Sequence, residues 1–165
     1  MSEAERTEAF EPRIVALFCT WCAYTGADLA GISRLRYAPN VRPIRLMCSG
    51  RVDPQFVLAA LREGADGVLI GACHPGDCHY QEGNDNALRR FELLRRLLRE
   101  MGVEGERVRL EYISASEGEK VQRVCNEMTE RVRGLGPLRL QLPREGRARA
   151  GARAPEAELV GGEAR

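Results

Sequence analysis

The sequence predicts an α/β fold: a small parallel sheet of about four strands with helices on both faces. Two observations carry this. Short apolar runs and helical-period runs alternate four times between residues 13 and 133. Each strand-like run is followed by a helix-like run that can serve as its crossover, an order that builds a parallel sheet with right-handed connections.

Residues 13–18, with Ile14, Val15, Leu17 and Phe18, read as the first strand. A helix over 22–36 follows, with Leu29, Ile32 and Leu35 at helical spacing. Residues 41–47 give a second strand. Asp53-Pro54 starts a second helix, because aspartate caps and proline suits the first helical position. That helix runs through Phe56, Val57, Ala60 and Leu61 to a stop at Gly64. Residues 67–71 form a third strand. The third helix carries the stripe Leu88, Phe91, Leu94, Leu98 and Met101 and ends at Gly102. Its arginines (Arg89, Arg90, Arg95, Arg96, Arg99) read as a solvated face, with Glu92 and Arg96 an i,i+4 pair. Residues 107–113 give a fourth strand. Ser116-x-x-Glu119 reads as a capping box for a last helix to about Arg133, burying Val121, Val124, Cys125, Met128 and Val132. The whole is a flavodoxin-like or Rossmann-like layered unit, in which ligands sit at the carboxyl ends of the strands.

The expected organisation is an N-terminal extension over 1–12, the α/β domain over 13–137, and a flexible tail over 138–165. The tail is rich in Arg, Gly, Ala and Glu and lacks periodicity. Leu138, Leu140 and Leu142 would lead it if it served as a docking arm.

The formal net charge of +1 argues against nucleic-acid binding driven by bulk charge. No segment approaches the ~18 consecutive apolar residues of a membrane span, and the acidic, polar start is not a signal peptide. The expected location is the cytoplasm. Thiols stay reduced there, and clustered cysteines signal metal or redox chemistry.

Five of the six cysteines form three groups: Cys19-x2-Cys22, then Cys48, then Cys73-x4-Cys78. Each group follows a predicted strand, so in a parallel sheet all five converge on one rim. Soft thiolates are the ligands of iron–sulfur clusters and zinc, and a [2Fe-2S] cluster takes four of them. Cys22, Cys48, Cys73 and Cys78, or Cys19 in exchange for one of them, are the expected ligands. The sequence leaves open which of the five is spare. Cys125 lies on the apolar side of the last helix and reads as a core residue.

Structural zinc is an alternative, giving an adaptor module without a redox role, although the second cysteine pair lacks zinc-ribbon spacing. A thioredoxin-like dithiol at Cys19/Cys22 is another, but it leaves Cys48, Cys73 and Cys78 unexplained. His74 and His79 each follow a cysteine and read as loop residues rather than ligands. No paired acid and base, glycine-rich dinucleotide motif or Walker motif is present.

Several stretches together resemble one family. They are Phe18-Cys19-Thr20-Trp21-Cys22-Ala23-Tyr24-Thr25-Gly26-Ala27-Asp28, residues 41–54 around Met47-Cys48-Ser49-Gly50-Arg51, Gly71-Ala72-Cys73-His74-Pro75-Gly76-Asp77-Cys78-His79-Tyr80, and residues 111–120. Across roughly residues 13–137 the chain resembles the methyl-viologen-reducing hydrogenase delta subunit family. The resemblance implies a cytoplasmic [2Fe-2S] protein. It would link a hydrogenase, through its small subunit, or sometimes a formate dehydrogenase, to a heterodisulfide reductase-type complex. The point of entry there would be the flavin-containing, iron–sulfur A-type subunit. The family's cysteine pattern falls on Cys19, Cys22, Cys48, Cys73 and Cys78. Cys125 and the tail match nothing in it. The combined expectation is an electron-carrying subunit whose interface lies around Trp21, Tyr24, Arg51 and Tyr80.

Overall fold

A computed structural model describes residues 10–139. Most of the predicted N-terminal extension and nearly all of the predicted tail, including Leu140 and Leu142, lie outside the described residues. Four strands alternate with four helices: β1 (Ile14–Cys19), α1 (Ala23–Ile32), β2 (Val41–Leu46), α2 (Pro54–Arg62), β3 (Gly67–Ala72), α3 (Gly83–Glu100), β4 (Val108–Tyr112) and α4 (Gly118–Leu135).

The sheet is fully parallel, in the order β2-β1-β3-β4. The chain steps outward from β1 to β2, then crosses back to β3 on the other side of β1. The strand order therefore reverses between β1 and β3, the place where open α/β sheets bind ligands. β3 is buried along its whole length. β2 is an edge strand, exposed from Arg42 to Arg45. Pro43 in its middle lacks an N–H, and arginines flank it, which protects the open edge from further pairing.

Two apolar layers sandwich the sheet. One joins Ile14, Ala16, Phe18 and Leu69 to Val121, Val124, Met128 and Val132 of α4. The other joins Leu17, Val68 and Ile70 to Val57 and Leu61 of α2 and to Phe91, Leu94 and Leu98 of α3.

The predicted apolar faces hold for α4 and need correction elsewhere. On α1 the buried residues are Ala23, Gly26 and Ala30, whereas Ile32 is 81% exposed. Close packing against the start of α4 is the reason: a Cβ on Gly26 would lie 2.9 Å from the Ser114 carbonyl oxygen, and one on Gly118 would lie 3.0 Å from Ala30 N. On α3 the buried stripe is Ala87, Phe91, Leu94 and Leu98, while Leu88 and Met101 at its ends are exposed. Glu92 pairs with Arg95 rather than Arg96. Asp53 caps α2 as predicted, accepting from Gln55 N at 2.8 Å. The capping box on α4 does not form: Ser116 Oγ lies 3.0 Å from Ser114 Oγ, and no side chain caps the helix.

Arg107 is a buried charge with a structural task. Its guanidinium donates to the carbonyls of Asp66, Leu135 and Gly136 and pairs with Glu104. It thereby satisfies acceptors at the C-terminus of α4, which the helix itself leaves unpaired.

Candidate metal centre

The parallel sheet brings three cysteine groups to one edge. β1 ends on Cys19, β2 ends two residues before Cys48, and β3 ends one residue before Cys73. The register pairs Cys19 with Leu46 and Phe18 with Gly71, so the three chain exits are level. Cys22 sits at the start of α1, and Cys73 and Cys78 flank the loop between β3 and α3.

The thiols fall into a trio and a pair. The sulfurs of Cys19, Cys22 and Cys73 all lie within 4.8 Å of one another, with Cys19 and Cys73 at 3.9 Å. Cys48 and Cys78 meet at the first residue of α3. A Cβ on Gly83 would collide with Cys48 Sγ and come within 3.1 Å of Cys78 Sγ. Gly50 lets the Cys48 loop approach α3, because a Cβ there would lie 2.9 Å from Gly83 Cα. Trio and pair face each other: Cys19 Sγ is 3.9 Å from the Met47 carbonyl oxygen, next to Cys48.

Their protonation reflects this crowding. The Cys22 thiol donates toward Cys19, which draws the Cys19 pKa down and pushes that of Cys22 up. Burial raises Cys73, to about 11. Burial also raises Cys48, offset by the Gly50 N–H, which donates to its sulfur at 3.4 Å. Charge on Cys78 and Cys19 opposes ionisation of both Cys48 and Cys73.

Residues outside the sequence-predicted set hold the loops in place. Asn84, buried at the start of α3, donates to the carbonyls of Cys73 and His74 at 3.3 and 2.9 Å. Arg90 reaches across to the Gly50 carbonyl at 2.5 Å. His74 Nε2 lies 2.8 Å from Glu117 Oε2, which also accepts from Ser114 N at 2.7 Å. Those two contacts hold the Glu117 carboxyl at about 2. His79 stacks on Trp21 with ring centres 3.8 Å apart, and Trp21 Nε1 lies 3.4 Å from Tyr80 Oη. Both histidines are thus engaged in loop structure. The aromatic stack clips the Cys19–Cys22 loop to the Cys73–Cys78 loop. Trp21 and Tyr80 stay 47% and 48% exposed, whereas Tyr24 packs partly into the core beneath Arg45.

The donor set fits a thiolate-bound metal group. A tetrahedral metal with bonds of about 2.3 Å holds two sulfurs roughly 3.8 Å apart, close to the Cys19–Cys73 separation. Ser49, beside Cys48, is fully buried, and its hydroxyl has no hydrogen-bond partner among the described residues. An unused O–H donor next to a thiolate is what a cluster sulfur would accept. Cys125 lies apart from this arrangement, fully buried in α4 with its thiol pushed up to about 12 by desolvation.

Comparison with known proteins gives a consistent answer. The chain is 54% identical over 135 residues to the D-type iron-sulfur subunit of the F420-non-reducing hydrogenase of Archaeoglobus profundus, covering 82% of this chain and 98% of that one. It is 53% identical over 134 residues to the D-type iron-sulfur subunit of the vhc F420-non-reducing hydrogenase of Methanococcus voltae, covering 81% and 93%. It is also 46% identical over 134 residues to a segment of the A-type subunit of the ferredoxin/F420H2-dependent CoB-CoM heterodisulfide reductase of Methanosarcina acetivorans. That match covers 81% of this chain but 17% of the larger protein. Residues 14–136 match the family described as methyl-viologen-reducing hydrogenase, delta subunit. That span begins at β1 and ends just past α4, so the family unit is the same α/β unit that carries the cysteine rim, and the chain belongs to the methyl-viologen-reducing hydrogenase delta subunit family.

Proposed function

We propose that this chain is an electron-relay subunit that holds a [2Fe-2S] cluster with four of Cys19, Cys22, Cys48, Cys73 and Cys78. It works in the cytoplasm, between a hydrogenase or formate dehydrogenase and the flavin-carrying A-type subunit of a heterodisulfide reductase-type complex. The observation that carries this is the convergence of five thiols at the switch point of the sheet. When bound, such a cluster accepts and gives up one electron at a time.

The protein's own part is to bind, orient and shield. Strand ends fix Cys19 and Cys73. The Gly83–Gly50 contact seats Cys48 and Cys78. Asn84 and Arg90 tie the loops to α3. Four of the five cysteines are buried and Cys78 is half-buried, so water is largely excluded and the way out is shortest on the Cys78 side. Trp21, Tyr80, Met47 and Arg51 surround that side, beside a groove of about 550 Å³. Aromatic residues and arginine are the types that carry binding energy at interfaces.

The relation to the flavin-carrying subunit rests on the relatives. In Methanosarcina acetivorans a segment like this chain forms part of the heterodisulfide reductase polypeptide itself. Covalent joining of two units in one protein favours their contact where they are separate. Burial weighs against the dithiol reading: Cys19 and Cys22 are 1% and 4% exposed, out of reach of a disulfide substrate. The test is anaerobic isolation of the native complex. Co-isolation of a flavin protein, with hydrogen- or formate-driven flavin reduction that is lost in Cys48→Ala, supports the reading. Flavin reduction that continues undiminished in Cys48→Ala overturns it.

A further inference from the structure

The chain leaves α4 on one face of the sheet and passes to the other. α4 packs on the layer that holds Ile14, Phe18 and Leu69. Leu138, just past the end of α4, packs instead on the opposite layer, which belongs to α2 and α3. Three features make the crossing. Gly136 turns the backbone with a φ of 75°, a region glycine enters without steric cost. Arg107 holds the carbonyls of Leu135 and Gly136. The Leu138 N–H donates to Asp66 Oδ1 at 3.1 Å.

An apolar groove of about 390 Å³ opens on that second face. Leu58, Ala59 and Leu61 line it from α2, and Leu98, Met101 and Val103 from the end of α3. Leu61, Leu98 and Val103 belong to the apolar layer that Leu138 joins. Ala59 and Met101 are exposed, so among the described residues the groove is open to solvent.

We infer that the next apolar residues of the chain, Leu140 and Leu142, fill this groove, so that the tail is a strap across α2 and α3. Position is the first argument. The described chain ends at Arg139, directly after a residue already seated on this face. Pattern is the second. Leu138 is partly buried between exposed Pro137 and Arg139. Alternate residues of an extended chain share a side, so Leu140 and Leu142 follow Leu138 inward while Arg139 and Gln141 face water. Length is the third. The α2 wall of the groove, from Gln55 to Arg62, is about 10 Å of helix, and an extended chain from Leu138 to Leu142 spans about 13 Å. The strap starts at the end of the sheet away from the cysteine rim, because Asp66 precedes β3 and Cys73 follows it. It therefore leaves the rim open, and it stands independently of what the rim binds.

The test is hydrogen exchange of the full chain, read by mass spectrometry on the unaltered protein, Leu140→Asp/Leu142→Asp and Ala59→Glu. Ala59 is exposed on α2 and glutamate suits a helix, so Ala59→Glu blocks the groove without entering the core. The amides of residues 140–142 are expected to exchange about tenfold slower in the unaltered chain than in Ala59→Glu. The amides of residues 101–103, at the groove, are expected to exchange faster in Leu140→Asp/Leu142→Asp than in the unaltered chain. Exchange over 140–142 that is equally fast in the unaltered chain and in Ala59→Glu overturns the inference. Protection of 140–142 that survives Ala59→Glu overturns it too, because the tail is then held elsewhere. So does groove protection that disappears on dilution together with a dimer in sedimentation, since a second copy is then the occupant.

Discussion

Gly83→Ala sets local helix preference against the packing of the site. Gly83 opens α3, and alanine is the better helix former by at most about 1 kcal/mol. If helix formation alone mattered, the variant would be more stable. The added methyl, however, falls on Cys48 Sγ and lies 3.1 Å from Cys78 Sγ. Neither neighbour is the loose end of a flexible side chain. Overpacking of this kind costs about 1–3 kcal/mol, so the net change is a loss of about 1–2 kcal/mol. The displaced thiols are the Cys48–Cys78 pair, so metal retention falls with stability. Gly134→Ala in α4 and Gly31→Ala in α1 are the controls, because a Cβ at either meets nothing within 4 Å. They are expected to gain about 0.5–1 kcal/mol. Urea unfolding of the three variants, with iron counted per chain, decides the matter. A Gly83→Ala protein as stable as the controls, with full iron, would refute the packing of Cys48 and Cys78 against α3.

Four shorter tests follow. Arg107→Met removes the donor to the carbonyls of Asp66, Leu135 and Gly136, and at about 1 kcal/mol per lost bond it costs about 3 kcal/mol in urea unfolding. Glu117 titrates at about 2 when folded against an ordinary 4.5. Its contribution to stability is therefore complete above the ordinary value and lost as pH falls toward 2. The stability gap between the unaltered chain and Glu117→Gln should close as pH falls between those two values. Ser49→Ala removes an O–H donor that favours the more negative, reduced state. If that hydroxyl donates to the bound cluster, losing a bond worth about 1 kcal/mol lowers the one-electron potential by about 40 mV in a redox titration. Cys125→Ala keeps the iron and the spectrum unchanged and costs about 1 kcal/mol of stability, because Cys125 fills core space alone.

The alternation of strands and helices is legible in the sequence because each element carries a period of its own. So is the convergence of Cys19, Cys48 and Cys73, since parallel strands share a carboxyl edge. Helix faces are legible where large apolar residues do the packing, as on α4. On α1 the apolar spacing points to Ile32, which lies in solvent, because close contact with α4 selects the small residues Ala23, Gly26 and Ala30 instead. The supports of the site are invisible for a related reason. Gly83, Asn84 and Arg90 belong to α3 and hold loops from β2 and β3, contacts that exist only once the sheet is assembled. A glycine at the first position of a long helix, a poor helix former at its start, is the one signal available. The capping pattern at Ser116 misleads because Glu117 beside it reaches back to Ser114 and His74, and no side chain caps α4 there.

The central claim is that the cysteine rim holds an iron–sulfur cluster that carries electrons. Its most direct measurement is iron, zinc and acid-labile sulfide content of the anaerobically purified chain, followed by EPR before and after dithionite reduction. The account predicts iron and sulfide in equal amounts, about two of each per chain as a [2Fe-2S] cluster requires, and a signal that appears only on reduction. A colourless chain carrying about one zinc and no sulfide would contradict it.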